Sequence, residues 1–113
     1  VFCENINRFE QDLSDQPMDL SAFATFSEDQ VRRFFPDAQI LLNQREKSRD
    51  IEYHRMVYRG KQGTYTLEFD QYFWVLQSKA VVLTFTAELN QVERYADLRA
   101  RMMGSLVLPK SNR

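Results

Sequence analysis

The sequence predicts an α+β fold built on an antiparallel β-sheet, and three observations carry that reading. Thr64–Ala87 (TYTLEFDQYFWVLQSKAVVLTFTA) holds two runs of period-two alternation joined by a short polar turn, the pattern of a β-hairpin. Two segments, Asp19–Phe35 and Asn90–Ser105, carry apolar residues at the three-to-four spacing of amphipathic helices. The strand-like runs follow one another and do not alternate one for one with helices, which excludes a doubly wound parallel sheet.

In the first run of the hairpin, Tyr65, Leu67, Phe69, Phe73 and Val75 fall on one side, with Gln71 breaking the row. Thr64, Thr66, Glu68, Asp70, Tyr72 and Trp74 fall on the other, because successive side chains of a strand point to opposite faces. In the second run Val81, Leu83, Phe85 and Ala87 alternate with Val82, Thr84 and Thr86. Gln77-Ser78-Lys79 is read as the turn, and Tyr65, Leu67, Phe69, Val81, Leu83 and Phe85 as one shared inner face. A lone hairpin is marginal in water, so other elements must cover it.

Along the rest of the chain, Val1–Leu13 reads as one irregular strand, with Phe2, Ile6, Phe9 and Leu13 among polar residues. Ser14-Asp15-Gln16-Pro17 is a turn cluster. Asp19 or Ser21 can cap the helix Asp19–Phe35, whose face is Leu20, Phe23, Ser27, Val31 and Phe34. Ser27-x-x-Gln30 offers an alternative capping box that would split it. Pro36 ends it, since the residue before a proline avoids the helical region. Ala38–Lys47 and Ile51–Arg59 read as strands separated by Ser48-Arg49-Asp50. Gly60-Lys61-Gln62-Gly63 is a tight connection whose glycines can take positive φ. Asn90-x-x-Glu93 caps the second helix, with Val92, Tyr95, Leu98 and Met102 on one stripe. Leu106-Val107-Leu108 is a short packing segment and Pro109–Arg113 a frayed, disordered polar tail.

At 113 residues the chain is a single domain with enough core to fold without disulfides or metal. The nine phenylalanines and 13% aromatic content argue against disorder. A net charge of −1 with interspersed signs supplies no basic field, so nucleic acid is not expected as a partner. No apolar run approaches the roughly 20 residues of a membrane span. The chain opens at Val1 without an initiator methionine or a signal-peptide pattern. Cys3, the sole cysteine, cannot form an intrachain disulfide. Phe2 before it is too large for a lipid-attachment motif, so it reads as a packed thiol.

Few residues suggest chemistry. His54, the only histidine, lacks partners at metal-ligand spacing and reads as a ring hydrogen-bonded on the sheet. Glu68 and Asp70 sit two apart on one strand face, a geometry open to acid–base work but far commoner on a solvated face. Nucleotide, metalloprotease, hydrolase-elbow and calcium-loop motifs are all missing, and three glycines leave no phosphate-cradling loop. Tyr72 and Trp74 share the face of Glu68 and Asp70, where large aromatics either lie under a helix or form a patch for a partner. Glu68, Asp70, Tyr72 and Trp74 are therefore the candidate partner-binding face. No catalytic, cofactor-binding or metal-ligating residue is expected.

The segment YRGKQGTYTLEFDQYFWVLQSKAVVLTFTAELNQVERYADLRARMMGSL resembles the C-terminal half of the PsbP/DcrB-like superfamily. The shared features are a tyrosine–glycine turn, a long strand, a hairpin ending in LTFTA, and a helix opening at Asn90-Gln91 with Tyr95 and closing on Ser105-Leu106. Asn5-Ile6-Asn7, the helix Leu20–Phe35 and the strand at Ile40–Leu42 extend the resemblance over Asn5 to Leu108. It implies an α/β/α sandwich of the Mog/PsbP-like type, one domain over residues 1–113, either N-terminally shortened or with reduced opening strands. It also implies a non-enzymatic binding or assembly domain of a secreted or periplasmic bacterial protein, possessing an unidentified protein partner, as a monomer or homodimer. Lipid anchoring through a preceding segment fits that reading. The alternative is an intracellular chaperone or adaptor that grips an apolar segment of its partner, as in type VI effector chaperones. The shared motif contains no catalytic residues to carry over.

Overall fold

The computed structural model describes residues 5–88. In chain order these form β1 (Asn5–Asp12), α1 (Leu20–Phe34), β2 (Gln39–Ser48), β3 (Ile51–Gln62), β4 (Tyr65–Leu76) and β5 (Lys79–Glu88). The five strands make one sheet in the order β1-β5-β4-β3-β2, with every neighbouring pair antiparallel. The fold is α+β, as the sequence predicts. The second helix at Asn90–Ser105, the segment Leu106–Leu108, the tail Pro109–Arg113 and Cys3 lie outside the described residues.

The helix starts and stops where its residues dictate. The Asp19 carboxylate accepts the Ala22 N–H at 2.8 Å, satisfying a donor that the first turn leaves free. The segment runs as one helix through Ser27, so the alternative start there is unused. Arg32 and Arg33 stand in its last turn, where positive charge complements the helix dipole. Phe23, Ala24 and Val31 are the buried stripe, packed with Met56, Tyr58, Phe73 and Ala80 of the sheet. Phe23 meets Phe73 edge-on at 5.7 Å.

Phe34 departs from the expected stripe and is 75% exposed. Its place is taken by Phe35, which leaves the helix at the C-cap and turns its ring onto Tyr58 and Phe69 at 6.2 and 5.5 Å. That packing explains Gly60. A Cβ there would meet the Phe35 ring at 2.8 Å, so a strand glycine is needed for close approach. Gly60 is part of β3, not of a turn, and of these two glycines only Gly63 takes positive φ, at 64°.

The hairpin of β4 and β5 differs in register from the sequence reading. Leu76 pairs with Lys79, so the loop is two residues, Gln77 and Ser78, with φ of 50° and 62°. Positive φ at both central positions matches the twist of the flanking strands. The β2–β3 loop repeats the solution at Arg49 and Asp50, with φ of 53° and 65°. Removing Lys79 from the loop shifts the pairing by one residue and so moves a whole side-chain set to the opposite face. Trp74 now stands opposite Val81, Tyr72 opposite Leu83, and Phe73 opposite Val82. Val81, Leu83 and Phe85 therefore share a face with Tyr72 and Trp74, and not with Tyr65, Leu67 and Phe69. Each face of the sheet has its own buried cluster: one around Phe23, Met56 and Phe73 beneath α1, the other of Tyr72, Trp74, Val81, Leu83 and Phe85.

Substituting Gly60→Ala forces the Phe35 ring out of its seat, and a loss of about 1–3 kcal/mol is expected from such overpacking. Denaturant unfolding measures it, and a wild-type midpoint would contradict the role given to this glycine.

Candidate functional site

The four residues expected to form a partner face do share one side of β4, but three of them are buried: Asp70 at 2%, Tyr72 at 7% and Trp74 at 3% exposure. Asp70 accepts two hydrogen bonds from the Arg55 guanidinium, both at 2.9 Å. The Tyr72 hydroxyl donates to the same carboxylate at 3.4 Å, and the Arg55 guanidinium lies 5.3 Å from the Tyr72 ring centre. This bidentate pair holds the arginine pKa above its usual value, against the opposing effect of burial. Glu68 is bound in turn by Arg59 at 3.0 Å. Trp74 packs beside Tyr53 and Tyr72, with ring centres at 5.6 and 6.2 Å. Each carboxylate thus has an arginine across the strand pair, and the aromatic rings pack in a cluster.

Polar residues also gather where α1 crosses β2 and β3. The His54 ring stacks on Phe73 at 6.0 Å and its Nε2 hydrogen-bonds the Asn43 side-chain oxygen. The Asn43 amide donates to Glu28 at 2.7 Å, and Arg32 donates to the other oxygen of Glu28. Arg45 donates to Glu52 at 2.6 Å and to the Ser21 hydroxyl. Of these, Ser21, Glu28, Asn43, Arg45 and His54 line a shallow polar pocket of about 260 Å³. Burial pushes the His54 pKa down first, and the positive charge of Arg45 adds to it, so the neutral ring is favoured. The hydrogen bond from Arg32 lowers the Glu28 pKa despite partial burial. The chain His54–Asn43–Glu28–Arg32 pins the helix to the sheet. It places His54 as the strand pattern implied, hydrogen-bonded on the sheet. No group of three His, Cys, Asp or Glu that could hold a metal ion occurs among the described residues.

The larger concavity is an apolar groove of about 620 Å³ beside α1. It exists because α1 packs on β3 and β4, leaving the same side of β1 and β5 without helical cover from α1. Phe9 on β1, Val82 on β5 and Phe69 on β4 form its floor, and Phe26 and Phe34 of α1 form its wall. Phe9, Phe26 and Phe34 are 51%, 39% and 75% exposed, an unusual concentration of accessible aromatic surface. Gln71, which interrupts the apolar row of β4, also lines this groove and donates to the Thr84 hydroxyl at 3.2 Å. The sequence signal for the groove was present but ambiguous: Phe9 and Phe34 fit apolar stripes and read as core.

No protein-family model matches the sequence, and no curated protein sequence matches it. Solved structures do. A Pseudomonas aeruginosa protein of unknown function, PA94, described as a candidate regulator, superposes with a TM-score of 0.78 at 12% identity, covering 97% of this chain and 87% of its own. The solution structure of cyanobacterial PsbP (CyanoP) from Synechocystis sp. PCC 6803 superposes with a TM-score of 0.70 at 11% identity, covering 94% and 68%. The fold is PsbP-like. At this identity the likeness concerns the backbone, so the groove and polar pocket must be judged on this chain's own residues. Among the described residues of this PsbP-like domain, no helix is long and apolar enough to cross a membrane.

Replacing Asp70 by Ala strands the Arg55 guanidinium without its partner, and a loss of roughly 2–4 kcal/mol in unfolding free energy is expected. The paired change Arg55→Met with Asp70→Leu should recover most of it if the pair is structural.

The depressed His54 pKa gives a signed pH dependence. The folded state binds the proton less tightly than the unfolded chain, whose histidine pKa is 6.5. The stabilisation from His54 is therefore complete above that value and falls away as pH drops through the window below it. Melting temperature followed from neutral to mildly acidic pH should decline in the wild type and decline less in His54→Gln. Equal slopes would show that the ring does not titrate differently in the two states.

Proposed function

We propose that this chain is a non-enzymatic binding or assembly domain acting outside the cytoplasm of a bacterium, and that it takes an apolar segment of a protein partner. The observation that carries the reading is the groove beside α1, where Phe9, Phe26 and Phe34 stay accessible. Large aromatic rings supply much contact area at low entropic cost, the property of interface anchors. The carboxylates open to acid–base work, Glu68 and Asp70, are instead bound by Arg59 and Arg55, which supports binding over catalysis. The α/β/α arrangement is part of the same reading: the sheet is apolar on both faces, and the cluster of Tyr72, Trp74, Val81, Leu83 and Phe85 is buried on the side away from α1. That burial moves the proposed contact from Glu68, Asp70, Tyr72 and Trp74 to the groove.

The second reading, an intracellular chaperone or adaptor, uses the same groove for an apolar partner segment and differs in compartment. The complete gene separates them: a signal peptide with a lipid-attachment motif upstream supports the first, and a plain cytoplasmic start supports the second.

Phe34→Glu and Phe9→Glu test the groove itself. Because both side chains are exposed, folding stability should stay within about 0.5 kcal/mol of wild type for Phe34→Glu. Binding of an apolar model peptide, followed by intrinsic fluorescence, should weaken by about tenfold or more for either variant. Peptide binding that both variants leave unchanged would remove the groove from the function.

A further inference from the structure

The polar pocket where α1 crosses β2 and β3 is assembled by the periods of three elements. Ser21, Thr25 and Glu28 stand four and three residues apart, so they share one face of α1. Asn43 and Arg45 stand two apart on β2 and share one face of that strand. Arg45 pairs in register with His54 of β3, which brings the ring to the same side. All the residues lining this volume of about 260 Å³ are among those described, and none of them lines the apolar groove.

Hydrogen bonds fix which groups of the pocket donate and which accept. Arg32 donates twice to one Glu28 oxygen, at 2.9 and 3.1 Å, and holds the carboxyl ionised. A carboxylate only accepts, so the Asn43 amide must turn its NH2 toward the other oxygen, at 2.7 Å. The Asn43 side-chain oxygen then faces His54, and the hydrogen of that contact belongs to Nε2. In the neutral ring, which burial and Arg45 favour, Nδ1 therefore carries a lone pair and accepts. Elsewhere in the pocket Arg45 donates to Glu52 and to the Ser21 hydroxyl. Its guanidinium has five N–H groups, and Ser21, having accepted, keeps its own hydrogen to donate.

The pocket thus has a positive, donating end at Arg45 and Ser21 and a negative, accepting end at Glu28 and His54. The charges of Arg45 and Arg32 cancel those of Glu28 and Glu52, so no net field favours a simple anion or a simple cation. A molecule carrying both charges complements it. Ser21 and Glu28 lie about 10 Å apart along the helix axis, and Asn43 and Arg45 about 7 Å apart along the strand. A hydrogen bond of about 2.8 Å at each end leaves roughly 1–5 Å between the ligand's charged groups, the reach of a small amino acid.

We propose that this pocket binds a small zwitterionic amino acid, its carboxylate held by Arg45 and Ser21 and its ammonium by Glu28 and His54 Nδ1. It is a second site, independent of what the apolar groove takes.

His54 is the only histidine of the chain, so its ring signals in proton NMR report the pocket directly. The full chain is titrated at neutral pH with glycine, β-alanine and γ-aminobutyrate, and separately with butyrate and butylammonium, which carry one charge each. At least one amino acid should move the His54 signals with a Kd of about 10 mM or tighter, and the single-charge ions should bind about tenfold more weakly. Arg45→Gln and Glu28→Gln, checked for folding by circular dichroism, should each weaken the amino acid about tenfold. Glu28→Gln should also strengthen butyrate, because it leaves the pocket net positive, and Arg45→Gln should not. If no amino acid moves the His54 signals at concentrations up to about 50 mM, the proposal is overturned. It is equally overturned if butyrate or butylammonium binds as tightly as the amino acids, or if both variants leave amino-acid binding unchanged.

Discussion

The pairing of Leu76 with Lys79 across a two-residue loop determines where every side chain of the central hairpin points. Side chains alternate along a strand with a period of two, so the loop length decides which half of β5 joins which half of β4. With Gln77 and Ser78 alone in the turn, the tyrosine and tryptophan of β4 gain Val81, Leu83 and Phe85 as neighbours. The helix side receives Ala80 and Val82 instead. The two faces are thus built for different purposes by one choice at the turn.

The placement of α1 follows from that choice and from Gly60. Phe35 needs a strand position without a Cβ to settle on Tyr58 and Phe69, and its seat holds the end of the helix over β3 and β4. At the other side of the helix, Glu28 is tied through Asn43 to His54. The hydrophobic clamp holds α1 over β3 and β4 and the polar clamp ties it to β2 and β3, so both keep it away from β1. The β1–β5 side is left with its own phenylalanine exposed. The groove is therefore a consequence of how the helix is fixed, and its shape depends both on Phe35, Tyr58 and Phe69 in its lining and on the Glu28–Asn43–His54 contacts outside it.

The elements were legible because their signals are local. The Asp19 cap, Pro36 and the alternation through Tyr65–Val75 each act within a few residues, and the helix and strands lie close to where these place them. The turn was misread because Gln77-Ser78 lacks the Asn-Gly signature of a two-residue loop and needs positive φ at residues that seldom adopt it. Two further features depend on contacts between residues far apart in sequence. Gly60 is explained by Phe35, and the exposure of Phe9 and Phe34 by the offset of the helix. Local periodicity registers Phe9 and Phe34 as apolar but cannot tell that they stay exposed. Asp70 and Arg55 show the same limit: a carboxylate on an alternating strand looks solvated until its cross-strand partner is known.

The two outer strands of the described sheet differ, since β2 carries a register shift between Ile40 and Leu42 and β1 pairs with β5 in one unbroken register. The open groove lies on that same side, with Phe9 belonging to both the edge and the groove floor. Exposed aromatic rings are a liability for a solitary chain, and a natural seam for a chain that meets another surface. The offset of α1 therefore concentrates the exposed rings of Phe9, Phe26 and Phe34 in a single region, formed by β1 and the outer side of α1.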